Sequence, residues 1–164
     1  TELRIRLDCA RVHLVQFHNS GYFLDGISMK KMSLTHESLE RSVSSETKHH
    51  QDLLMSMFMP VLDSIRKDEA VLHYVNKMEE CPICLDNLQT DSYAKQHLES
   101  SNVIAFAVLP VRRNNMIHGY VMTQWCSWNK VELIDEALAE DWLNRSQSLI
   151  EVELINQKRQ IEHK

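Results

Sequence analysis

Arg11-Val12-His13-Leu14-Val15-Gln16-Phe17 is a β-rich run that ends in His18-Asn19-Ser20-Gly21-Tyr22-Phe23, and a second alternating run follows from Ile27 to His36. Two apolar runs joined by a polar, glycine-bearing connection read as an antiparallel pair. The connection holds His18, Asn19, Tyr22 and Phe23 where a plain turn needs only small residues. Such a loop is either an anchored corner or one wall of a site.

A second pair lies near the other end. Val103 to Val111 is an apolar strand closed by Pro110, Arg112 to Met116 is a polar turn, and Ile117 to Cys126 is a strand containing Gly119. The segments around the two hairpins read as helical. Thr1 to Asp8 has alternating Leu3, Ile5 and Leu7 but is rich in the helix formers Glu2, Arg4 and Arg6, and is read as helix. From Glu37 to Asp68 the apolar residues Leu53, Leu54, Met57, Val61, Leu62 and Ile65 recur at three- and four-residue steps, with Pro60 dividing a short segment from a helix. Ala70 to Val75 has β character, and Leu88 to Leu98 reads as a helix opened by Thr90 or Asp91.

Asn129 followed by Glu132 has capping-box spacing, which predicts one long helix from Lys130 to near the chain end. On it Val131, Ile134, Leu138, Trp142, Leu149 and Val152 form a stripe to cover a sheet. Leu143, Ile150, Leu154 and Ile161 form a second stripe, and residues 150–164 are expected to protrude and pair with another copy. Trp125, Trp128 and Trp142 are expected to fix the last strand to this helix.

At 164 residues, 43% hydrophobic and 25% charged, the chain is about one domain, 1–164, with core enough to fold without disulfide or metal. A formal charge of −5 and no arginine stripe argue against nucleic acid as a partner. No run of about 18 apolar residues is present, so no helix is expected to span a bilayer. Four cysteines and eight methionines fit a reducing, cytoplasmic setting, with tethering through a missing upstream segment left open by the start at Thr1.

The order helix, strand, strand, helical connection, short strand, helix, strand, strand, long helix resembles a GAF domain. So do the Phe17-His18-Asn19-x-Gly21 corner, the Ser33-Leu34-Thr35-His36-Glu37 strand end and the Pro110-turn-Gly119 hairpin. The likeness is greatest to a GAF-like variant of bacterial and bacteriophage proteins. It implies an α+β fold with an antiparallel sheet of five or six strands, terminal helices packed together on one face, and a small-molecule pocket on the other. It also implies a non-enzymatic sensory or regulatory role. The cysteine-plus-Asp-x-x-Pro context of tetrapyrrole-binding relatives and the motif of the cyclic-nucleotide-binding ones are both missing from the sequence, so the cofactor is unknown.

In such a sheet the pocket is expected to be lined by His18, Asn19, Tyr22, Phe23, His36, Phe106 and Tyr120, with Phe17 and Met122 beside them. Phe17, Phe106 and Met122 are equally what alternating strands require as core. Cys81 and Cys84 have the spacing of half a zinc site, with His73 and His97 as its remaining ligands, or of a redox pair. Glu79 and Glu80 oppose thiolate activation, and two free thiols on a loop is the plainer reading. Glu46, His49 and His50 read as a solvated polar face. Besides the sensory domain, two alternatives stand: an interaction module with no ligand, and a thiol redox protein using Cys81 and Cys84.

Overall fold

In the computed structural model, which describes residues 1–22, 28–65, 72–75 and 93–162, the chain opens with a short helix, α1 (Glu2–Leu7). Side chains are described at all of these positions except 19–22, 28–29, 60 and 157–162. Asp8 stops α1 in the left-handed conformation (φ 48°), which asparagine and aspartate tolerate better than most residues. The first hairpin follows, β1 (Arg11–Tyr22) and β2 (Ser28–Leu39). The second is β5 (Ala105–Arg113) and β6 (Met116–Trp125), with a two-residue edge strand β3 (Leu53–Leu54) and a three-residue strand β4 (Leu72–Tyr74) between the hairpins in sequence.

All six strands form one antiparallel sheet in the order β3-β2-β1-β6-β5-β4. The two hairpins therefore meet in its middle, where β1 pairs with β6 from Arg11 opposite Gln124 to Gln16 opposite Gly119. Gly119 makes that seam possible, because a Cβ there would run into the carbonyl oxygen of Val15. The turn of the second hairpin is Asn114-Asn115, with φ of 52° and 64°, the primed turn whose twist suits strands joined by two residues. Pro110 does not close β5. It lies beyond the reach of β4, which pairs only with Ala105 to Ala107, so its missing N–H interrupts no ladder on that side.

Alternation divides the sheet into two apolar faces. Val15, Met32, Leu34, Phe106, Val108, Tyr120 and Met122 point to one face, which is covered by α2 (Met59–Ile65) and α3 (Tyr93–Ser100) through Val61, Leu62, Ile65, Ala94 and Leu98. Ala105, Ala107, Leu109, Val121 and Trp125 point to the other face, against Leu3 and Leu7 of α1 and Ala139 and Leu143 of the last helix. Each such large side chain removed from water contributes about 1.5–3 kcal/mol, so both helical layers are held chiefly by burial.

Several expectations need correction. β1 does not end at Phe17 but runs through the supposed corner, His18 opposite Lys31 and Asn19 opposite Lys30. Residues 37–58 are not a helix: β2 continues to Leu39, Leu53 and Leu54 pair with Met32 and Lys31, and only tight turns at Thr47–His49 and Met55–Phe58 precede α2. Of the apolar residues spaced there, Leu53 packs on the sheet's core while Leu54 and Met57 are exposed. Pro60 sits in the first turn of α2, where its missing N–H costs nothing.

The expected single C-terminal helix is two, α4 (Trp128–Glu132) and α5 (Glu136–Glu162). Asp135 Oδ1 accepts the Leu138 backbone N–H at 3.1 Å and so caps α5. That break resets the helical phase. Leu143 and Ala139 face the sheet, while Leu138, Leu149 and Val152, expected to cover it, are 48%, 71% and 56% exposed. The three tryptophans also act apart: Trp125 Nε1 donates to Leu7 O, Trp128 stacks on Tyr74, and the Trp142 ring meets the guanidiniums of Arg6 and Arg145.

Replacing Gly119 with alanine is expected to lower the unfolding free energy by about 3 kcal/mol or more, because the clash is with backbone that belongs to the central seam. Urea unfolding of the variant against the parent measures it.

Candidate functional site

The face covered by α2 and α3 has two ends of opposite character. At one end an open cleft of about 370 Å³ lies between the sheet and α2, lined by Phe17, His18, Lys30, Met55, Met59, Leu62, Ile65, Met116, Ile117 and His118. Its size falls in the range of small-molecule sites. Phe17 and Lys30 reach it because β1 and β2 pair Phe17 with Met32 and Asn19 with Lys30, which places Lys30 in the same row as Met32 and Leu34. His18 Nε2 lies 2.8 Å from Ser33 Oγ and 3.5 Å from Asp52 Oδ1, which fixes the imidazole at the rim.

The other end of this face is polar. Arg11 is 2% exposed, and its guanidinium donates to Ser44 O at 3.0 Å, Ser101 O at 3.0 Å and Gln124 Oε1 at 3.3 Å, with Glu46 Oε1 at 3.8 Å. One side chain thus ties the connection after β2, the end of α3 and β6 together. Next to it His13 Nε2 donates to Glu37 Oε2 at 2.9 Å, and Gln124 Nε2 lies 3.4 Å from His13 Nδ1. Burial holds His13 below its ordinary pKa despite the Glu37 carboxylate. Burial alone would raise Glu37, but hydrogen bonds from the Ser45 hydroxyl, the Glu46 N–H and His13 hold it below the usual range.

His50 stands against His13 and His97, with ring centroids 6.1 and 5.1 Å away, and against Phe58 at 5.7 Å. Neither of its ring nitrogens has a hydrogen-bond partner among the described residues. Burial, then the neighbouring imidazoles of His97 and His13, pushes it down to about 3, and burial likewise lowers His97. A neutral, unpartnered imidazole here acts as an apolar ring wedged between β1 and α3. The reading of Glu46 and His50 as a solvated face is thereby corrected, since both are buried; only His49 is exposed.

Of the residues expected to line a pocket, the structure brings His18 to the cleft together with Phe17. Phe106 and Tyr120 lie beneath it, 0% and 1% exposed. Tyr120 packs edge-on to Phe17 at 6.2 Å and donates to Met32 Sδ, and burial raises its hydroxyl pKa. His36 is elsewhere. Thr35 is an extra residue in β2, so Leu14 pairs with His36 but Val15 with Leu34, and the bulge turns His36, exposed, to the face of α1 and α5. The side chains of Asn19 and Tyr22, and Phe23 altogether, lie outside the described residues, as do Cys81 and Cys84. His73 packs on Phe106 at 5.3 Å in β4, while His97 belongs to the imidazole cluster in α3. No group of three or more His, Cys, Asp or Glu among the described residues could hold a metal ion.

Residues that sequence reasoning missed are Met55, Met59, Leu62 and Lys30 in the cleft, and His13, His50 and Arg11 in the polar end. The signal for His13 and Arg11 was present: alternation places both in the row of Val15 and Phe17. Nothing local in the sequence marks His50.

Acid should unfold this protein through the imidazole cluster. Unfolded, His50 takes up a proton near its ordinary 6.5; folded, it resists to about 3. Its contribution is complete above the upper value and is lost as pH falls through that window, by about 1.4 kcal/mol per pH unit. Urea midpoints measured from pH 7 to pH 5 are expected to fall, and less steeply for His50→Phe.

No family model matches the chain, and no curated protein matches it by sequence. Solved structures do. The GAF domain of Thermosynechococcus elongatus PixJ in its blue-light absorbing form aligns over 99% of this chain and 86% of its own, with TM-score 0.56 and 12% identity. A far-red absorbing dark state with bound biliverdin IXa aligns over 92% of this chain and 82% of its own, with TM-score 0.56 and 16% identity. The chromophore-binding domain of Stigmatella aurantiaca bacteriophytochrome covers 91% of this chain and 50% of its own, with TM-score 0.55 and 12% identity. With its six-stranded antiparallel sheet, terminal helices on one face and a helix-covered cleft on the other, this chain has the fold of a GAF domain.

Proposed function

We propose that this chain is a non-enzymatic sensory or regulatory domain that takes a small molecule into the cleft beside α2 and pairs with a second copy through its terminal helices. The observation that carries the ligand part is the cleft itself, open to solvent on the face where the fold leaves room between sheet and helix. The floor of that face is filled by Met32, Phe106, Tyr120 and Met122, all buried, so the ligand is smaller than the linear tetrapyrrole of the biliverdin-bound neighbour. Cys9 and Cys126 are held as thiols by burial, Cys9 pushed up to about 12, and neither is an activated nucleophile.

The pairing part rests on α5. This helix of 27 residues is about 40 Å long, and it is fastened to the sheet as far as Glu151, whose Oε1 accepts the Arg112 N–H at 2.9 Å. Leu143, 1% exposed, is spent within the domain's own core and is not available to a partner; Ile150 packs there in part, and Leu154 is half-buried. The pairing face is instead Leu138, Leu149 and Val152 of α5, all exposed. Ile161 lies beyond the described side chains. The same stripe favours a second reading, an interaction module in which the helices alone carry function.

Native mass spectrometry of the purified chain separates the two. A dimer carrying a retained small molecule, lost in Met59→Trp with the dimer kept, is the expected outcome; a dimer that never retains a ligand leaves the interaction module. Leu149→Glu with Val152→Glu is expected to give a folded monomer in light scattering, with the circular dichroism spectrum unchanged.

A further inference from the structure

The cleft's chemistry points further than its size. The chain has 23 Asp and Glu against 18 Lys and Arg, yet none of the described residues that line the cleft is acidic. One, Lys30, is a cation, exposed and without an ion pair among the described residues, and two more, His18 and His118, bring imidazole N–H groups. Asp52, which is not among the lining residues, has its Oδ1 3.5 Å from His18 Nε2. The opposite wall, Met55, Met59 and Leu62, offers no charge and no hydrogen-bonding donor. Thioether side chains adapt to irregular apolar shapes, so such a wall accepts a flexible alkyl body more readily than it selects a rigid one.

We infer that the cleft binds an amphiphilic carboxylate, its alkyl body against the methionine wall and its anionic head on Lys30 at the rim. The inference rests on reading the cleft as a ligand site and adds the class of the ligand. A neutral body alone would give the ammonium of Lys30 no counter-charge, and none is supplied by the described residues. A cationic head would be repelled by Lys30, the one lysine or arginine among the described lining residues. A carboxylate gains a charge-assisted hydrogen bond there, while the body leaves water.

The test is calorimetric titration of the full chain with decanoate, decan-1-ol and decylamine, each below its aggregation threshold, and of the Lys30→Gln variant with the same three. Lys30 is exposed on β2, and matching melting temperatures confirm that the variant is folded. Decanoate is expected to bind at least about tenfold tighter than decan-1-ol, with the gap closed in Lys30→Gln and decan-1-ol unaffected. Equal affinity for the alcohol, tighter binding of the amine, or a gap that survives the substitution overturns the inference while leaving the cleft as a ligand site. Binding by none of the three also overturns it, and the cleft reading then stands or falls separately on the retained molecule and the Met59→Trp variant.

Discussion

Six residue pairs between β1 and β6 turn two hairpins into one sheet, and everything else in the molecule is arranged on the platform they create. The seam tolerates no side chain at Gly119, because the strands approach with the Val15 carbonyl where a Cβ would stand. At its other end it is closed by Arg11, whose guanidinium reaches the connection after β2, the end of α3 and Gln124 of β6. Removing one partner from a buried charged network of this kind costs about 3–5 kcal/mol, more than a typical buried methyl group contributes. The seam is thus held at one end by close backbone packing and at the other by a satisfied charge.

That arrangement gives the helix-covered face its polarity. Toward Gly119 the rows of β1 and β2 end in Phe17 and Lys30, where α2 stands off and the cleft opens. Toward Arg11 the same rows hold His13 and Glu37, and the imidazoles of His50 and His97 fill the space beneath α3. The two ends border one layer of side chains, with the packed Val15, Met32 and Tyr120 between them.

How much of this was legible in the sequence depended on how local each cause is. Both hairpins could be read from period-two alternation, because a half-buried strand must alternate whatever its partners. The helices of the two chain ends and the short β4 were legible for similar reasons. The phase of α5 was not, because it is set by the break at 133–135 and by the Asp135 cap, and the Asn129 to Glu132 spacing drew the helix start to the wrong place. His36 was misplaced by one residue's worth of bulge at Thr35, which no alternation pattern displays. The cleft was half legible: Phe17 and His18 sit on a readable strand, whereas Met55 and Met59 come to it through a connection whose path only the fold determines.

The seam also sets an order of events in folding. Arg11 to Gln16 emerge early in synthesis, but the residues they pair with, Gly119 to Gln124, come about a hundred positions later. Loop closure over that span is entropically costly and makes such topologies slow to form. Until then the nascent first hairpin has a long inner edge with nothing to occupy its backbone donors and acceptors, which is the condition under which strands find the wrong neighbour. Once the sheet is complete the danger passes. The outermost strands are only two and three residues long, and beside β3 the edge of β2 is taken up by the His50 carbonyl and the Gln51 amide on Leu34, leaving little for a stray chain to extend.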